Sequence, residues 1–105
     1  MEISEMQLEV HRIAVEHGWW ENPRPVGEVL MLMVTELAEA MEAYRNGNQE
    51  SEKIPGFSQM EEELADVVIR LLDYAGGENL NIEGALLAKM AYNEKRPYRH
   101  GGKLA

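Results

Sequence analysis

The turn-forming residues of this chain fall at intervals that leave room for helices and little else. Gly18, Pro23 and Pro25, Asn46-Gly47-Asn48, Pro55-Gly56, Gly76-Gly77 and Pro97 punctuate the 105 residues, and no period-2 apolar run competes between them. Ile3, Met6, Val10, Ile13, Ala14 and His17 follow helical spacing and predict a first amphipathic helix over 3–17, ended by Gly18. Pro25 suits the start of a second helix that runs to Arg45 and stops at Asn46-Gly47-Asn48. Ser58 with Glu61 three residues later is a capping box for a third helix over 59–75, with Gly76-Gly77 as its terminator. Asn81 caps a fourth helix that ends near Asn93, and the polar stretch from Gln49 to Phe57 reads as a surface loop. The expectation is an all-α four-helix bundle, one domain over 1–105 with 95–105 as a flexible tail.

Two acidic pairs lie inside apolar runs of this pattern, Glu36-Leu37-Ala38-Glu39 on the second helix and Glu63-Leu64-Ala65-Asp66 on the third. Residues three apart share a helix face. Were the two helices to pack side by side, four carboxylates would converge, and buried anions repel one another unless a cation neutralises them. An all-oxygen set suits a hard ion, Mg²⁺ or Mn²⁺, and such ions commonly serve phosphate chemistry. Spacing alone leaves a second reading open. With 19 acids in the chain, pairs three apart arise by chance, as at Glu2/Glu5, and Gln59, Glu62, Glu63, Asp66, Arg70 and Asp73 form a narrow stripe that a solvated face also shows.

The second helix favours the metal reading. Leu30, Met33, Val34, Leu37, Met41 and Tyr44 make one apolar face, while Val29, Leu32, Ala40 and Ala43 carry apolar character around to flank Glu36 and Glu39. A helix apolar on both sides is contacted on both sides, and a second copy of the chain is the economical explanation.

Composition excludes several other functions. No cysteine is present, which removes disulfides, thiolate chemistry and Cys-based metal sites. None of His11, His17 and His100 has Glu three residues before it, as di-iron bundles require, and neither a calcium loop nor a serine nucleophile arrangement occurs. A net charge of −9 argues against a nucleic-acid duplex as partner. No apolar stretch is long enough for a membrane span and the N-terminus lacks signal-peptide character, so a soluble, cytoplasmic protein is expected. Five of the ten cations, Lys89, Lys95, Arg96, Arg99 and Lys103, nevertheless crowd the last 17 positions, where Glu94 is the only acid. Carboxylates for a metal and cations for outer phosphates are what a polyphosphate ligand demands.

Glu-x-x-Glu followed, after the 23 residues 40–62, by Glu-x-x-Asp resembles the signature of the MazG-like all-α nucleoside triphosphate pyrophosphohydrolases. The resemblance extends over His17-Gly18-Trp19-Trp20-Glu21-Asn22-Pro23-Arg24 and the run from Lys89 to Lys103, which look like the small stand-alone bacterial and phage-type members. It implies an oligomeric bundle, a homodimer or dimer of dimers. It further implies Mg²⁺-dependent cleavage of a nucleoside triphosphate between the α- and β-phosphates, giving monophosphate and pyrophosphate, as in nucleotide-pool sanitation, with Mn²⁺ a substitute. By carry-over Glu36, Glu39, Glu63 and Asp66 are metal ligands, and Glu39 or Glu63 takes the proton of the attacking water. Lys89, Asn93 and Arg96 grip phosphates, Tyr98, Arg99, His100 and Lys103 close over the product, and of Trp19 and Trp20 one stacks on the base while the other anchors the first helix. Where some relatives carry a His-Ser pair before the first metal Glu, this chain has Val34-Thr35. Two alternatives of another class remain: a helical module that senses nucleotides without turnover, and an acidic protein-interaction module.

Overall fold

A computed structural model describes residues 1–97 and contains four helices: α1 (Ile3–Glu16), α2 (Val26–Arg45), α3 (Gln59–Gly77) and α4 (Ile82–Glu94). Among the described residues there is no strand, only an isolated antiparallel bridge between Glu50 and Ser58, so the all-α expectation holds. No described helix is long and apolar enough to cross a membrane. Tyr98, Arg99, His100 and Lys103 lie outside the described residues.

The caps form where the sequence places them. The Glu61 amide donates to Ser58 Oγ at 3.1 Å while the Ser58 amide donates to Glu61 Oε1 at 2.8 Å, and the Gly84 amide donates to Asn81 Oδ1 at 2.9 Å. These bonds occupy first-turn amides that a helix cannot pair internally. α2 starts directly after Pro25, whose fixed φ of −58° sets the entry, and α1 is closed by Gly18 at φ +82°.

Gly76-Gly77 does not terminate α3; both residues are helical. Their role is close approach. A Cβ on Gly76 would stand 2.7 Å from the His11 Cβ, and one on Gly77 would stand 2.1 Å from the Trp20 ring. The chain turns two residues later, at Asn79 with φ +55°.

α3 is the central element, packed along α2 on one side and α1 on the other, while α4 rests on α1. The Ser4 amide donates to Glu83 Oε2 at 2.7 Å and Gln7 Nε2 to the Leu80 carbonyl at 2.9 Å, tying the start of α4 to α1. α1 turns Ile3, Met6, Gln7, Val10, His11 and Ala14 inward, leaving Ile13 and His17 exposed. α2, apolar on both sides, divides them unequally. Val29, Leu32, Met33, Glu36, Ala40 and Ala43 turn inward, whereas Leu30, Val34, Leu37, Met41 and Tyr44 are exposed. The small side chains of Ala40 and Ala43 let α2 lie close against α3, and bulkier residues are left outside.

The stripe on α3 that resembled a solvated face is likewise turned inward. Glu62, Glu63, Asp66, Arg70 and Asp73 are partly or largely covered, while Leu64, Val68 and Leu71 are exposed. The 49–57 segment is a surface loop, pinned at Ser51. Ser51 is 2 % exposed; its amide donates to the Phe57 carbonyl at 2.8 Å and its hydroxyl donates to Glu62 Oε1.

Candidate metal centre and the cavity beside it

Glu36 and Glu39 lie one helical turn apart on α2 and face Glu63 on α3, so that one oxygen of each falls within 4.8 Å of the others. Glu63 also belongs to a second set of the same spacing, with Glu62 and Asp66. The carboxylates named from sequence are therefore brought together with Glu63 at the junction, and Glu62 joins them. Sequence reading saw Glu62 only as part of the polar stripe.

The cluster is short of positive charge. Glu36 is 8 % exposed, and its Oε1 accepts from Arg70 Nε at 3.0 Å. Glu62 is held by Ser51 and lies 3.8 Å from Lys53 Nζ. Glu63 Oε2, by contrast, is buried without any hydrogen-bond partner. Burial, reinforced by shared hydrogen bonds with Glu39 and Glu36 and by the charges of Glu39 and Asp66, pushes the Glu63 carboxyl up to about 7. Asp66 is raised as well, first by burial and then by Glu36 and Glu62, against the opposing pull of Lys53 and Arg70. Protons relieve the repulsion within such a cluster, and a cation would do so in their place. The donor set is entirely oxygen, with carboxylates from two helices and no imidazole, and it fits a hard cation.

Beside the cluster lies a cavity of about 380 Å³, within the range of small-molecule sites. Glu36, Asp66 and Arg70 border it on the cluster side, Val10, Ile13, Ala14, Val29 and Leu32 supply apolar wall, and Trp19 and Trp20 line it as well. The two tryptophans differ. Trp20 is clamped: its ring packs on Gly77, its Nε1 donates to Asp73 Oδ1 at 2.8 Å, and the His11 ring meets it edge-on at 4.9 Å. Trp19 is 53 % exposed, with the Arg24 guanidinium 5.2 Å from its ring centre.

The cations assigned to phosphates from α4 are elsewhere. Lys89 and Asn93 are exposed beyond the contact with α1, Lys89 Nζ lies 4.5 Å and the Arg96 guanidinium 5.0 Å from the Tyr92 ring, and none of the three lines the cavity or the carboxylate cleft. The described cations at the carboxylates of this protomer are Arg70 and Lys53. Arg70 had a signal in the sequence, as the lone cation of the acidic stripe; Lys53 had none, because its placement depends on the strapped 49–57 segment. No protein-family model, curated protein or solved structure matches this chain.

Proposed function

We propose that this protein is a metal-dependent nucleoside triphosphate pyrophosphohydrolase of the MazG-like kind that its sequence resembles. The observation that carries the reading is the buried, unpartnered Glu63 Oε2 among like-charged neighbours, next to a cavity lined by two tryptophans. Nucleotide binding makes sense of both halves: an aromatic-walled cavity for a base and sugar, a cation-binding cluster for the phosphates.

Glu36, Glu39, Glu63 and Asp66, with Glu62 alongside, are the residues that would hold Mg²⁺ or Mn²⁺. Bound there, such an ion offsets charge on the phosphates and acidifies a coordinated water. The chain's own groups do the rest. Arg70 fixes Glu36 through its 3.0 Å bond, so one carboxylate is oriented before substrate arrives. Glu39, the exposed member of its set, is placed to take the proton of the water that attacks the α-phosphorus. The bond from that phosphorus to the bridging oxygen breaks and pyrophosphate leaves. Lys53, long and 83 % exposed at the rim, is placed to meet the outer phosphates, and Trp19 to stack on the base. Oligomerisation belongs to the same reading: the exposed Leu30, Val34, Leu37 and Met41 of α2 and Leu64 and Val68 of α3 form apolar faces that a second copy would cover.

The test is pyrophosphate release across a panel of nucleoside triphosphates, with and without Mg²⁺, comparing the protein with Glu39→Gln. Metal-dependent formation of monophosphate and pyrophosphate, lost in the variant, is expected. Silence across the panel, or full activity in Glu39→Gln, overturns the reading; nucleotide binding without turnover would point to a sensor.

A further inference from the structure

Asp73 stands in the cavity wall where the indole of Trp20 is anchored, and both donors that reach it converge on one atom. Trp20 Nε1 and His11 Nδ1 donate to Oδ1, at 2.8 and 2.9 Å. Oδ2 takes no hydrogen bond from any described residue, although a carboxylate has acceptor sites on both oxygens. The side chain is 22 % exposed, and around it the cavity is largely apolar.

The chemistry of that oxygen limits what can sit against it. A carboxylate accepts and does not donate, so a ligand that displaces water from Asp73 must supply an N–H or O–H or leave the oxygen unpaired. The donors on Oδ1 hold the carboxylate in one orientation, and the Gly77 contact fixes the ring that supplies one of them. This acceptor is therefore set before any ligand enters.

We propose that Asp73 is a specificity-determining residue that selects nucleobases carrying an exocyclic amino group over those with a carbonyl at the same position. The inference rests on the nucleotide reading given above. Cytosine and adenine present an amino N–H on the edge where uracil and hypoxanthine present an oxygen, whose lone pairs face the Asp73 charge. A site built around a fixed polar partner discriminates strongly against the analogue that cannot pair with it.

The experiment compares kcat/KM for dCTP against dUTP and for ATP against ITP, in the protein and in Asp73→Asn. The amide keeps an acceptor for Trp20 while losing the charge and offering N–H to a carbonyl. The expected result is a preference for the amino member of each pair of about tenfold or more, reduced or reversed in Asp73→Asn with the metal requirement intact. A merely structural role for Asp73 would lower both members of a pair together and leave their ratio unchanged. Equal use of both members by the unaltered protein, or an unchanged ratio in the variant, overturns the proposal. Binding of CMP and UMP, followed by tryptophan quenching in the unaltered protein, separates this inference from the catalytic one. Tighter CMP binding without turnover of any triphosphate would sustain Asp73 and defeat the pyrophosphohydrolase reading. Equal or absent binding would defeat Asp73, whatever the turnover.

Discussion

Glu63 and Asp73 sit ten residues apart on one helix, both inward-facing, both among apolar and polar neighbours, and their surroundings could hardly differ more. Asp73 is supplied with two donors on one oxygen. Glu63 has an oxygen with none and four acids close by. A fold that only needed a stable core would treat the two alike. The difference teaches that the C-terminal half of α3 orients its carboxylate with donors from within the fold, whereas the half that faces Glu36 and Glu39 leaves like charges that a proton or a cation from outside would balance.

Four measurements break or sharpen that contrast. The largest effect is expected for Glu63→Gln, which should lower Mg²⁺-dependent pyrophosphate release by about a hundredfold or more while the helical circular dichroism persists. Wild-type release rates in that variant would mean that the unpartnered oxygen has no part in metal binding. Next comes the metal itself. At a hundredfold excess over its Kd a cation adds about 2.7 kcal/mol to the stability of the folded protein, a rise in Tm of about 10 °C or more for a chain of this size. Thermal melts with Mg²⁺ or Mn²⁺ should show the rise in the protein and not in Glu63→Gln.

Removing the Asp73 carboxylate should act the other way. Asp73→Ala strands the Trp20 and His11 donors and is expected to destabilise by about 1–3 kcal/mol in chemical denaturation, with or without metal. In metal-free buffer Glu63→Gln should be no less stable than the protein. If the two substitutions cost the same without metal, the contrast between the two ends of α3 fails.

The smallest effect is a dependence on pH. Glu63 in the folded chain holds its proton up to about 7, above the ordinary glutamate value of 4.5, so the folded state binds more protons than the unfolded state between these values. Stability of the metal-free protein therefore rises as pH falls, by about 1 kcal/mol between pH 8 and 6. The raised Asp66 acts in the same direction. Denaturant melts of Glu63→Gln over that interval should be flatter, and a saturating cation should flatten those of the unaltered protein.

Much of this architecture is legible in the order of the residues alone. The Ser58 and Asn81 caps and the breaks at Gly18 and Asn46-Gly47-Asn48 act within a few residues of themselves, and they place the helices to within a turn. The direction in which the helices face is not legible in the same way. Periodicity assumes polar residues outside and apolar residues inside; α3 inverts that rule at the carboxylates, so the stripe from Glu62 to Asp73 passes for a solvated surface, and on α2, apolar on both sides, periodicity does not say which side meets the chain's own core. The acid pairs are visible as candidates. Neither the reach of Trp20 to Asp73 nor that of Ser51 to Glu62 has a local signature, because each joins segments brought together only by the fold.

The contact between Trp20 and Gly77 also bears on how this sequence can vary. A methyl group at position 77 would occupy the place of the indole, and a smaller ring at position 20 would leave that space empty. The two positions are one unit of inheritance: drift at either is permitted only with a matching change at the other. Homologues that keep this cavity wall should carry Trp with Gly, or a smaller residue at 20 with a larger one at 77, and seldom a mixture.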